Sequence, residues 1–180
     1  MTYLFLGCRA LLLVVFLVAV TGKTRSSAAF AEFTSSVVAL RLLSRRASRT
    51  VAAAVVGTEL VATVLLAVSA TALAGFVVTI GLLLAFLTGI TVALRDGRAV
   101  PCRCFGASTA PLGPVHVVRN LALAAVGLTG LAAGLVSSAW PPHTGGVAVT
   151  AATAVIGALI FIRFEDLAFL FTDTKRDSHS

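Results

Sequence analysis

Apolar residues run almost unbroken through five stretches of this chain, about 3–22, 51–71, 73–94, 115–136 and 146–162, with short polar segments between them. A helix of roughly 20 apolar residues crosses the hydrocarbon core of a bilayer. Lipid offers the backbone no hydrogen bonds, so each span must satisfy its own as a helix. The pattern predicts an all-α, polytopic membrane bundle with four core transmembrane helices and a fifth, C-terminal span. The second and third spans have almost no loop between them, which demands a tight antiparallel hairpin. Gly81, Ala85 and Gly89 recur at four-residue intervals, and Gly127, Gly130 and Gly134 form a similar series. Each should make a flat stripe that a neighbouring helix can approach closely.

The polar segments differ in kind. From Lys23 to Thr50 the chain carries Lys23, Arg25, Arg41, Arg45, Arg46 and Arg49 against one acid, Glu32. Within it Phe30, Phe33, Val37, Val38 and Leu40 recur at helical spacing, so an amphipathic interfacial helix with its arginines among lipid headgroups is expected. Ala29-Phe30-Ala31 has the small-x-small form of a signal cleavage site. Lys23 and Arg25 intervene, however, and no basic segment precedes the apolar run, so a retained first helix is expected. Arg95 to Pro114 is a polar hinge between the third and fourth spans. Trp140-Pro141-Pro142 breaks the chain at an interface, and Arg163 closes the fifth span. One domain over 1–172, followed by a short polar tail at 173–180, accounts for the whole.

Composition agrees: of 180 residues 58% are hydrophobic and 12% charged, with mean hydropathy +1.03, which excludes an ordinary soluble domain. The net charge of +7 lies between the spans and lacks the aromatic interleaving of a nucleic-acid surface, so the lipid bilayer is the expected partner and nucleic acid is not. Most basic residues fall on the hinge side, and Arg9 stands nearly alone on the other. The positive-inside rule then puts the amino terminus outside, and the hinge and carboxyl terminus in the cytoplasm of a cell-membrane protein.

The candidate chemistry lies in the hinge, where Cys102 and Cys104 flank Arg103. One intervening residue makes too small a ring for a relaxed disulfide, so an internal bond would be strained and readily reduced. Arg103, with Arg98 and Arg119 near it in sequence, favours the thiolate. Two plain loop cysteines are the alternative, and Cys8 reads as a small buried filler. A metal site built on the two thiolates and His116 lacks a fourth ligand, and His143 belongs to the opposite side, so no metal is assigned. Glu59 is a lone carboxylate inside the second span, where it needs a partner. Arg119 of the fourth span is the expected one, with Asn120 completing the hydrogen bonds. Such a pair either locks two helices or tunes a thiol and stabilises a quinone headgroup.

Cys102-Arg103-Cys104-Phe105-Gly106, followed by Val117-Val118-Arg119-Asn120-Leu121-Ala122-Leu123, resembles the hinge and fourth-helix motifs of the MauE family, within the wider DoxX-like group. Thr21-Gly22-Lys23 and Thr58-Glu59-Leu60 resemble that group's helix-end lysine and intramembrane glutamate. The resemblance spans roughly residues 3–136. It implies four core helices and a part in disulfide formation or assembly of a partner, in the family the methylamine dehydrogenase small subunit, beside a thioredoxin-like protein. By position, Cys102 and Cys104 would be the redox pair, with Glu59, Arg119 and Asn120 as supporting polar residues. Arg103 departs from the small residue expected between the cysteines. Nothing in these residues recognises a methylamine.

The leading expectation is a redox-accessory membrane protein with thiol–disulfide exchange activity toward a thioredoxin-like or client protein. A non-catalytic scaffold, and after it a solute or metal carrier, are the alternatives. The family's disulfide work belongs outside the cytoplasm, whereas the charge rule puts this hinge inside.

Overall fold

The computed structural model describes residues 1–40, 44–96, 113–136 and 143–163. Six α-helices account for nearly all of them: α1 Thr2–Thr24, α2 Ser27–Ala39, α3 Arg45–Ala67, α4 Ala72–Arg95, α5 Pro114–Val136 and α6 Thr144–Ile162. Five, all but α2, are long and apolar enough to cross a membrane. Their outward faces carry Leu60, Val64, Val77, Leu84, Leu121 and Leu128, exposed side chains that suit lipid and not water. The chain is a multi-pass membrane protein.

Helices α1, α3, α4 and α5 close a four-membered ring, each packed on two of the others, while α6 lies outside against α1. The core joins Leu12, Val15 and Phe16 of α1, Leu66 of α3, Phe76 and Leu83 of α4, and Leu123 of α5. Cys8 is buried among them, the small filler expected. The α3–α4 hairpin turns through a single 3₁₀ turn, Ser69–Thr71, with the Thr71 hydroxyl donating to the Leu65 carbonyl at 3.0 Å. Gly75 makes this turn possible, because a Cβ there would meet the backbone nitrogen of Leu66 at 2.8 Å.

Arg9 is tied into the bundle. Its guanidinium donates to the carbonyls of Leu66 and Ala67 and to the Ser69 hydroxyl, at 2.5, 2.8 and 3.1 Å. A helix ends with carbonyls that have no intrahelical partner, and at the end of α3 an arginine from α1 supplies the donors. At the same end of the bundle, the His143 backbone N–H that precedes α6 donates to the Tyr3 hydroxyl at 3.0 Å. This places His143 on the side away from the Arg95 and Pro114 helix ends, as expected.

Two expectations are corrected. The Lys23–Thr50 segment is not one interfacial helix: Ser44 caps a new helix by accepting from Ala47 N, so Arg45, Arg46 and Arg49 form the first turns of α3. Only Ser27–Ala39 remains as α2, itself capped by Ser26. The glycine stripes also part ways. On α5, a Cβ at Gly127 or Gly134 would meet Ile80 at 2.9 Å or Leu73 at 2.7 Å, and one at Gly130 would strike the Phe76 ring. On α4, Gly81 and Gly89 have nothing within 4 Å among the described residues, and Gly81 and Ala85 are exposed. Equal spacing makes both stripes, but only the one turned toward the ring is used.

Candidate functional site

A run of buried polar side chains sits in an otherwise apolar interior. Lys23, in the last turn of α1, donates from Nζ to Glu59 Oε1 at 2.6 Å, and the two side chains are only 2% and 3% exposed. Glu59 lies fourteen residues after Arg45, about 21 Å along the α3 axis at 1.5 Å per residue. Its carboxylate is therefore deep in the span. Lys23 reaches it because helical side chains slant back toward the helix amino terminus, here into the bilayer.

Two aromatic faces complete the surroundings of the ammonium. Its nitrogen stands 5.0 Å from the Phe33 ring centroid and 5.9 Å from that of Phe86. Each ring face offers negative quadrupole potential to a cation that has lost its water. Phe33 comes from α2 and Phe86 from α4, so one lysine of α1 collects contacts from three other helices. This explains why the short helix α2 is held against the bundle: its buried residues include Phe33 and Thr34.

On α5, His116, Arg119 and Asn120 are all buried, at 2%, 1% and 5% exposure. The Asn120 amide donates to the His116 carbonyl at 2.8 Å, bonding back along its own helix. The packing register sets their depth. Gly134, Gly130 and Gly127 of α5 face Leu73, Phe76 and Ile80 of α4, and Phe5, Cys8 and Leu12 of α1. Carried along these antiparallel helices, that register brings Arg119 and Asn120 level with Phe86–Thr88 and with Ala19–Val20. The three α5 residues thus share the depth of the Lys23 cage.

The expected Glu59–Arg119 pair is not formed: the ion partner of Glu59 is Lys23. Both cations lie at the hinge end of the ring, but Lys23 extends straight into it from the end of its helix. The charge pattern of the sequence assigns Lys23 to the interfacial segment, and helical spacing assigns Phe33 to its amphipathic stripe. The detectable sign was a lysine in the last turn of a spanning helix, within side-chain reach of a lone intramembrane acid. Among the described residues Glu59 Oε2 has no hydrogen-bond partner. Buried and open on one oxygen, the carboxylate can accept a proton or a donor from a bound molecule.

Cys102 and Cys104 lie outside the described residues, within 97–112. The helices that flank them, ending at Arg95 and beginning at Pro114, do so at the end of the ring nearer the Lys23 cage. Among the described residues no three histidine, cysteine or acidic side chains cluster to hold a metal ion.

No curated protein and no solved structure matches the chain. A family model does, that of methylamine utilisation protein MauE, over residues 1–133. The match takes in α1 to α4, the Cys102–Cys104 hinge and nearly all of α5, leaving α6 outside it. Ring, hinge and buried polar residues therefore fall within one unit, and the chain belongs to the MauE family.

Proposed function

We propose that this membrane accessory protein of the MauE type performs thiol–disulfide exchange through Cys102 and Cys104, supporting disulfide formation or assembly of a partner protein. The observation that carries the reading is the pairing of a dithiol hinge with a buried polar cluster. The chain between α4 and α5 holds both cysteines, and the two helices contribute Phe86, Arg119 and Asn120 to the polar depth of the ring. In the exchange, a thiolate of one partner attacks the disulfide of the other and forms a mixed disulfide. The second thiolate of the attacking pair then displaces it. Two electrons and two protons pass from the dithiol that becomes oxidised to the disulfide that becomes reduced. A thioredoxin-like protein or a client with paired cysteines is the exchange partner. For onward electron transfer a quinone is proposed: Lys23 and Asn120 are buried donors of the kind its carbonyl oxygens need.

In this reading the chain sits in the cell membrane with the hinge in the cytoplasm. Burial of Lys23 and Arg119 takes two basic residues out of the charge count. Arg25, Arg45, Arg46, Arg49, Arg95 and Arg163 remain exposed at the hinge end, so the rule keeps its sign.

The test replaces Cys102 and Cys104 by serine, singly and together. Each single variant should accumulate a mixed disulfide with its partner, and the double variant should lose partner maturation. A scaffold is the second reading, favoured by the way Lys23 ties four helices together. If the double variant still matures and co-purifies with its partner, the scaffold reading stands and the exchange reading is wrong.

A further inference from the structure

Away from the cysteines, α2 and the start of α3 enclose a groove of about 1100 Å³. Phe30 and Val38 of α2 give it an apolar wall, Thr34 lies between, and Arg45, Arg46 and Arg49 of α3 form the opposite side. The three arginines are exposed, and none of them pairs with an acid among the described residues. Their depth is set by α3 itself. A helix of 23 residues is about 35 Å long, longer than the roughly 30 Å hydrocarbon core, so its first turns stand at headgroup level.

We propose that this groove is a binding site for one anionic phospholipid, its phosphate held by Arg45, Arg46 and Arg49 and an acyl chain laid along Phe30 and Val38. Guanidinium forks match phosphate oxygens in bidentate geometry. Three of them, unpaired with any acid among the described residues, select a negative headgroup over a zwitterionic one. A free phosphate would use the arginines but leave the apolar wall wet. A lipid uses both. With its headgroup on α3 and its acyl chain on α2, the lipid bridges the two and fastens the helix that carries Phe33 onto the Lys23 cage.

The test is native mass spectrometry of the full chain in detergent, with phosphatidylglycerol or phosphatidylcholine added at equal concentration. The natural chain should retain phosphatidylglycerol at least tenfold better. The triple variant Arg45→Gln, Arg46→Gln, Arg49→Gln should lose that preference, and Arg25→Gln with Arg95→Gln should keep it. Should the triple variant fail to fold, as judged by helical circular dichroism, the single variants carry the test, each weakening retention roughly fivefold. Equal retention of the two lipids by the natural chain, or a preference that survives loss of the arginines, overturns the proposal. So does displacement by inorganic phosphate at the concentration at which phosphatidylglycerol binds, which would mark a site for the ion alone.

Discussion

Lys23 and Glu59, separated by 36 residues, meet at 2.6 Å inside the bundle, with the lysine nitrogen facing the rings of Phe33 and Phe86. In water such a pair would add little. In a lipid-embedded interior both charges have been stripped of solvent, and each is tolerable mainly because the other is present.

That dependence gives the first prediction. Glu59→Gln leaves an unpaired buried ammonium, and Lys23→Met leaves an unpaired buried carboxylate. Each should cost about 3–5 kcal/mol. The double variant should cost much less than the sum, because a neutral pair has no charge left to desolvate. Thermal unfolding in detergent, arranged as a double-mutant cycle, measures the coupling. Additive losses would mean that the two side chains do not depend on each other.

A second prediction concerns Arg9. Its three hydrogen bonds serve the end of α3 and the turn that follows. Arg9→Met leaves the Leu66 and Ala67 carbonyls without those donors and should destabilise the protein by about 1–3 kcal/mol. The loss should appear first as faster hydrogen exchange in the α3–α4 turn. Arg9→Lys should recover only part of it, since an ammonium lacks the planar fork that reaches several acceptors at once. Unchanged exchange in Arg9→Met would show that the turn does not depend on this cap.

The two glycine series invite a direct comparison. Gly130 stands against Phe76 and Cys8, whereas Gly81 meets nothing within 4 Å among the described residues. Gly130→Ala should therefore cost about 1–3 kcal/mol through overpacking, while Gly81→Ala should be neutral or slightly stabilising, as alanine is the better helix former. Equal effects at the two sites would contradict the packing of α5 against α4. Melting temperatures of the two variants decide it.

The contrast also marks what the sequence can and cannot convey. Span number and approximate limits are legible because the length of an apolar run is itself the physical constraint. The tight turn before Ala72 is legible for the same reason, since almost no residues are left between the two apolar runs to make a loop. Which glycine stripe is covered is not legible: periodicity puts Gly81, Ala85 and Gly89 on one face but says nothing about what lies opposite. The start of α3 was obscured because Arg45, Arg46 and Arg49 read as headgroup-level charge, while Ser44 alone marks the cap. The need of Glu59 for a cation could be read from its burial in an apolar span. Its choice of Lys23 over Arg119 depends on reach along a helix axis, which becomes visible only once the helices are packed.

The last prediction addresses the hinge. Cys8 is buried in the core, so it should resist a membrane-impermeant thiol reagent in the folded protein, and a Cys8→Ala background removes it altogether. In that background Cys102 and Cys104 should stay unlabelled in intact cells and become labelled once the cells are opened, if the hinge faces the cytoplasm as proposed from the exposed arginines at that end. Prior reduction should increase labelling in opened cells if the pair spends time as a disulfide, because each bond broken yields two thiols. Labelling of intact cells would reverse the orientation and place the exchange on the outer face, where disulfide work on an exported partner belongs. Labelling in opened cells that is indifferent to reduction would leave the cysteines permanently reduced, and a permanently reduced pair cannot cycle in the proposed exchange.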